Sequence, residues 1–158
     1  LRVFRGWLVP FPNLNGTWLG YIHSDWVDPK TKEKVKPIPT MLTIKQSFFH
    51  ISCVMHTGEM ISDSYSEGFK INSDHQIRQI TYSYKSQPRT NLSERSATHD
   101  GTMVFQIIEK PKKKLKGRYW TERKTKGEIY LEFSSEKILQ EIPDDIEVHP
   151  VTEEENLR

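Results

Sequence analysis

Apolar and polar residues alternate with a period of two through most of the chain, a pattern that predicts strands rather than helices. The alternating runs lie at 16–26, 38–46, 49–56, 60–71, 76–85, 98–109, 115–124 and 127–134. Turn-forming clusters separate them: Asp28-Pro29-Lys30, Asn72-Ser73-Asp74, residues 87–96, Lys110-Pro111-Lys112 and Thr125-Lys126-Gly127. A break at Ser47 divides one longer run, and without it the count falls to seven. Consecutive antiparallel strands of this number hide their edges by closing on themselves. The expected fold is therefore all-β, an eight-stranded up-and-down antiparallel barrel, with a sandwich as the alternative. The stretch 136–142 suits a short C-terminal helix closing one barrel end.

Composition supports the strand reading. The chain has 158 residues with a single alanine, Ala97, against 34 β-branched residues and 17 aromatics. Helical bundles and doubly wound α/β folds draw on Ala and Leu, so both are poor readings of this residue choice. The length suits one domain with flanking segments: residues 1–15, a barrel over 16–134, and a tail over 135–158. Cys53 is the lone cysteine, so no internal disulfide exists, and its apolar neighbours Ile51, Val54 and Met55 mark it as a buried structural thiol. No apolar run approaches the roughly 18 residues of a membrane-spanning helix. The opening Leu1–Val9 stretch is nonetheless apolar, basic and aromatic, as a juxtamembrane segment would be, or an N-terminal plug packing on the domain. The net charge of +2 hides two opposed blocks. Residues 110–126 carry nine bases and one acid, and residues 136–158 carry eight acids and two bases.

Parity along each strand shows which polar residues share the inside with the apolar ones. Met103, Phe105 and Ile107 place His99 and Gly101 inside, and Ile80 brings Tyr82 and Tyr84 with it. From Leu115 the inward set is Gly117, Tyr119, Thr121 and Arg123. Leu42 and Ile44 carry Gln46 inward, and Met60 is accompanied by Ser62, Ser64 and Ser66. One end of the barrel should thus be filled by aliphatic and aromatic groups. The other should hold tyrosines, serines, His99, Gln46 and Arg123. Buried hydroxyls and amides cost about 1–3 kcal/mol each when unpartnered, so such a wall implies either a self-satisfied network or a wet cavity for a polar ligand. The ligand matched to it is partly aromatic, rich in hydrogen-bonding groups and anionic: tyrosines stack on bases, and a guanidinium grips phosphate.

Asn15-Gly16-Thr17-Trp18-Leu19-Gly20-Tyr21 looks like the Gly-x-Trp opening of lipocalin-like and avidin-like barrels, where the Trp closes one end. Further matching runs are Ile44-Lys45-Gln46, Ser62-Asp63-Ser64-Tyr65-Ser66, Tyr82-Ser83-Tyr84, His99-Asp100-Gly101 and the stretch from Gly117 to Gly127. In this order the chain resembles, from about Gly16 to Phe133, the β-strand-rich, lipocalin-like domain of two-transmembrane effectors of CBASS antiphage signalling. The resemblance implies a barrel that senses a cyclic dinucleotide made by a partner nucleotidyltransferase. It also implies attachment to the bacterial inner membrane through two preceding helices, with the barrel facing the cytoplasm. Ligand binding would promote homo-oligomer assembly, membrane disruption and death of the infected cell. Parity, within that resemblance, assigns ligand contact to Tyr119, Arg123, Thr121, Tyr82, Tyr84, Ser64, His99 and Gln46.

An enzyme is not expected. The six histidines show no HxxxH or HxH spacing, and neither a Gly-x-Ser-x-Gly elbow nor a Walker motif occurs, so no metal, catalytic group or cofactor is expected. The basic run 110–126 reads as a solvated hairpin face rather than a DNA or RNA site, with anionic lipid its better functional alternative. Two other functions remain open: a lipocalin-like carrier of a small apolar ligand, and a filled-barrel interaction module docking through its charged segments.

Overall fold

The structure is a computed structural model that describes residues 11–89 and 97–146. It holds eight strands: β1 (Gly16–Ser24), β2 (Ile38–Gln46), β3 (Ile51–His56), β4 (Met60–Asn72), β5 (Ile77–Pro88), β6 (His99–Ile108), β7 (Lys114–Thr121) and β8 (Lys126–Ser135). Each pairs antiparallel with its neighbours in sequence, and β1 pairs with β8 to close the barrel. The break at Ser47 is real: Ser47 N–H donates to the His50 carbonyl at 2.7 Å, forming the β2–β3 turn. The expected barrel is therefore the observed one, and the sandwich is excluded.

Because consecutive strands alternate in direction, the barrel has two chemically distinct ends. One end, closed, gathers the start of β1 with the end of β2. Trp18 sits opposite Leu42 on one side and Phe133 on the other, with its indole edge-on to Phe133 at 5.2 Å. Around it Ile44, Cys53, Ile80, Phe105, Leu115 and Leu131 are buried and form one core. Gly117 shares this interior because a Cβ there would overlap the Phe105 ring. Gly16, at φ +137°, holds a backbone conformation that suits glycine, pressed against the Ser135 carbonyl.

Residues 11–15 cross this end as a plug. Leu14 is buried, its carbonyl accepts the Trp18 Nε1–H at 3.0 Å, and Phe11 stacks on Phe69 at 5.0 Å. Both readings of Leu1–Val9, juxtamembrane segment and plug, fall outside the described residues; the plug that is present is built from residues 11–15. The short helix expected over 136–142 does not form; the chain runs through bends there. Thr17 explains why. Its hydroxyl donates to the Lys137 carbonyl at 2.6 Å and accepts the Leu139 N–H at 3.1 Å. Seven residues ending before Pro143 could hardly recover the cost of helix nucleation, and tertiary bonds take their backbone groups instead.

Candidate ligand-binding site

At the opposite end the lumen stays open. There the end of β1, the starts of β2, β4 and β6, and the ends of β3, β5 and β7 surround a cavity of about 190 Å³. Its wall joins apolar groups such as Ile22, Met55, Met103 and Ile129 with a polar set. Tyr82, Tyr84, Tyr119, His99, Thr121 and Arg123 all line it. Six of the eight residues singled out by parity thus meet in one place. The barrel is therefore not filled at this end.

Local chain geometry places each group. Ile80, Tyr82 and Tyr84 alternate inward on β5, opposite Phe105, Met103 and Gly101 of β6. Gly101 matters for space: a Cβ there would overlap the Tyr84 hydroxyl. Tyr82 and Tyr84 stand edge-to-face at 6.2 Å. Burial pushes the pKa of both phenols up, and that of Tyr119 as well, so all three keep their protons at neutral pH. The neighbouring Ser24 hydroxyl offsets part of the rise at Tyr119. The Tyr82 hydroxyl is buried and has no hydrogen-bond partner among the described residues.

His99 is held by its own strand entry. Its Nδ1 lies 3.0 Å from the Ala97 carbonyl oxygen, which can only accept, so Nδ1 carries the ring proton. Burial lowers the imidazole pKa. The neutral ring therefore offers Nε2 as an acceptor. Ser62 donates to Ser86 at 2.8 Å, and Thr121 pairs its hydroxyl with that of Thr125 at 2.7 Å.

Arg123 reaches the cavity differently from the expectation. Strand β7 ends at Thr121, and Arg123 belongs to the hairpin turn, where Lys124 N–H donates to the Thr121 carbonyl at 3.0 Å and Lys124 adopts φ 63°. The guanidinium side chain is exposed, at the rim rather than the centre. It still acts on the interior: its positive charge opposes part of the upward pKa shift of Tyr84 and adds to the downward shift of His99.

Gln46 and Ser64 do not belong to this cavity. Gln46 lies at the closed end, where its Oε1 accepts the Leu14 N–H at 2.7 Å and its Nε2 donates to the Pro12 carbonyl at 3.0 Å. Its amide locks the plug. Ser64 accepts the Cys53 N–H at 2.8 Å and donates to the Glu67 carboxylate. The register slips between Ser64 and Ser66, leaving Tyr65 as an extra residue. That bulge reverses parity, so Glu67 and Phe69, not Ser66, face Tyr82 and Ile80 across the ladder.

Several wall residues were missed by the strand pattern. Ser86 is the next inward position after Tyr84, one residue beyond the expected strand end, and Trp26, inside the expected run 16–26, shares the parity of Trp18, Ile22 and Ser24. Parity carried one residue further on β5, and applied along the whole first run, finds both. Thr57 and Glu59 come from the β3–β4 turn, where the Thr57 hydroxyl accepts the N–H groups of Glu59 and Met60 at 3.3 and 3.0 Å. A turn has no periodicity, so only the fold brings the buried Glu59 carboxylate to the wall.

No curated protein matches the chain. Among protein families, the one described as Cap15, cyclic dinucleotide receptor domain, matches residues 9–132, which span the plug, seven complete strands and most of the eighth. With that match covering most of its length and an eight-stranded barrel open at one end, the chain belongs to the Cap15 cyclic dinucleotide receptor domain family.

Proposed function

We propose that the barrel is a non-catalytic receptor for a cyclic dinucleotide, which it binds through the open end of its lumen. The observation that carries this reading is the mixed wall: three protonated phenols, a neutral imidazole acceptor and a rim guanidinium around one cavity. Phenol faces stack on bases, each contact contributing roughly 1–3 kcal/mol. Hydroxyls and the His99 Nε2 meet the donors and acceptors of a base edge, and Arg123 meets phosphate oxygens in a fork. Membership of a cyclic dinucleotide receptor family supports the same ligand class.

The finer reading follows the resemblance to CBASS effectors. The barrel would be carried on the bacterial inner membrane, facing the cytoplasm, and ligand capture would promote assembly of copies, loss of membrane integrity and cell death. Phe11 lies at the closed end, against Phe69. An anchor preceding it would therefore leave the mouth turned away from the bilayer and open to a cytoplasmic messenger. Among the described residues no helix is long and apolar enough to cross a membrane.

Titration calorimetry with a panel of 3′,3′-linked cyclic dinucleotides tests the receptor reading. Saturable heat with at least one member, at protein concentrations near the micromolar range, is the expected result. Silence across the panel, with displacement of a fluorescent fatty acid instead, would transfer the site to an apolar-ligand carrier.

A further inference from the structure

The cavity has a neighbour. On the outer face of the barrel, beside the mouth, a groove of about 690 Å³ runs between the end of β1, the β1–β2 loop and the β7–β8 hairpin. Ser24, Val35 and Tyr119 line both the groove and the cavity. One layer of side chains is therefore the partition between them. Alternation along β7 sets this up: Tyr119 turns inward, while its neighbours Arg118 and Trp120 turn outward into the groove.

The groove has the chemistry of a nucleotide platform. Trp120 is 45% exposed, an unusual amount for the largest aromatic side chain. Lys34, Arg118 and Lys126 supply three cations against the two carboxylates of Asp25 and Glu128. Both carboxylates already accept hydrogen bonds, Asp25 from the Lys126 N–H at 2.8 Å and Glu128 from the Tyr130 hydroxyl at 2.7 Å. The cavity inside the barrel, by contrast, is small and open at its mouth: about 190 Å³ against the roughly 300–1,000 Å³ of clefts for drug-sized ligands, which leaves part of a ring of two nucleosides and two phosphates to extend past the rim.

We infer that the ligand straddles the rim, one base entering the barrel and the other stacking on Trp120 in the outer groove. This rests on the receptor reading and extends it: the receptor grips the two halves of its ligand by different means. The inner base is selected by the hydroxyls and His99. The outer base is held by a sequence-tolerant ring face, and the linking phosphates lie between Arg123 at the rim and the Arg118 and Lys126 side of the groove.

The test measures the Kd of the full 158-residue chain and its variants for whichever cyclic dinucleotide the wild type binds most tightly. Trp120→Ala removes the platform and should weaken binding by roughly 5- to 150-fold, the contribution of one aromatic ring to one stacked base. Trp120→Phe keeps a ring and should stay within about threefold of wild type. Arg118→Glu should weaken binding most at low salt. Unchanged affinity in Trp120→Ala would overturn the inference and leave the receptor reading standing, as would equal losses in the Ala and Phe variants. Altered sedimentation with unaltered affinity would assign the groove to contact between copies and also overturn it. A wild type that binds no member of the panel would overturn the receptor reading and this one together.

Discussion

Replacing Tyr82 by Phe deletes one oxygen and nothing else, and the two states of the receptor should respond in opposite directions. In the free barrel the Tyr82 hydroxyl is buried with no partner among the described residues, and the residue as a whole is 2% exposed. A buried hydroxyl left unbonded costs about 1–3 kcal/mol relative to water. The ring itself packs near Phe105 at 6.3 Å and Tyr84 at 6.2 Å, contacts that phenylalanine retains. The variant should therefore be more stable by about 1–3 kcal/mol, or roughly 2–4 °C in Tm per kcal/mol for a chain of this size.

Ligand binding should move the other way. If the hydroxyl is kept unpartnered so that a base edge can bond it, the variant loses one neutral hydrogen bond, about 0.5–1.5 kcal/mol, a two- to twelvefold rise in Kd. Thermal melts followed by circular dichroism and calorimetric titration give the two numbers on the same preparation. A fall in Tm would mean that the hydroxyl is satisfied in the free protein. A rise in Tm without loss of affinity would mean that the ligand never reaches it. Either result refutes the reasoning.

The remaining expectations separate the two barrel ends and the rim. Trp18→Ala truncates a fully buried ring at the closed end. It should cost about 3–5 kcal/mol in urea unfolding while leaving the Kd of the folded fraction unchanged. Arg123→Ala removes an exposed turn residue, so Tm should stay put while dinucleotide affinity drops roughly tenfold at low salt and less at high salt. His56 and His99 both have pKa values lowered from 6.5 by burial. The unfolded chain then binds more protons below pH 6.5, so these residues contribute stability that is present above that pH and lost as pH falls toward their folded values. The double variant His56→Gln/His99→Gln should show a shallower loss of urea midpoint between pH 7 and about 5.5 than wild type.

The strand pattern carried most of the fold because an eight-stranded barrel is nearly all period-two structure, and its turns are marked by Gly, Pro, Asn and Asp. It located the inward faces of β5, β6 and β7 and with them Tyr82, Tyr84, His99, Tyr119 and Thr121. Parity states which face a residue takes, but not how far along the barrel axis it lies. Gln46 points inward and still belongs to the plug, because it sits at the far end of β2. Ser64 lies outside the cavity for another reason: it keeps its inward register opposite Tyr84, but the Cys53 N–H and the Glu67 carboxylate occupy its hydroxyl. Ser66 loses its inward face because a single extra residue, Tyr65, shifts the register, and nothing in Ser-Tyr-Ser announces a bulge. Arg123 was reached by extending β7 past its true end, and the turn happened to carry the side chain to the same rim. Glu59 was invisible because a turn residue has no face until its neighbours fold around it.

Filling only half the lumen solves a conflict that a small receptor otherwise faces. A ligand cavity removes packed apolar surface from the core, and unpartnered polar groups in its wall subtract further. Here the loss is confined to the end where β1, β3, β5 and β7 finish. The end where they begin is packed by Trp18, Phe105, Leu115 and Leu131 and sealed by Leu14. The plug and the Thr17 hydroxyl also satisfy backbone groups that an open barrel end would leave to solvent. Substitutions in the mouth should thus trade affinity against small stability gains, as Tyr82→Phe does. Substitutions at the plug should unfold the barrel without changing what it recognises. A variant such as Gln46→Ala, which removes two bonds to residues 12 and 14, belongs to the second class: about 1–3 kcal/mol of stability lost with ligand preference intact. Altered preference in that variant would show that the two ends are coupled and that the division of labour drawn here does not hold.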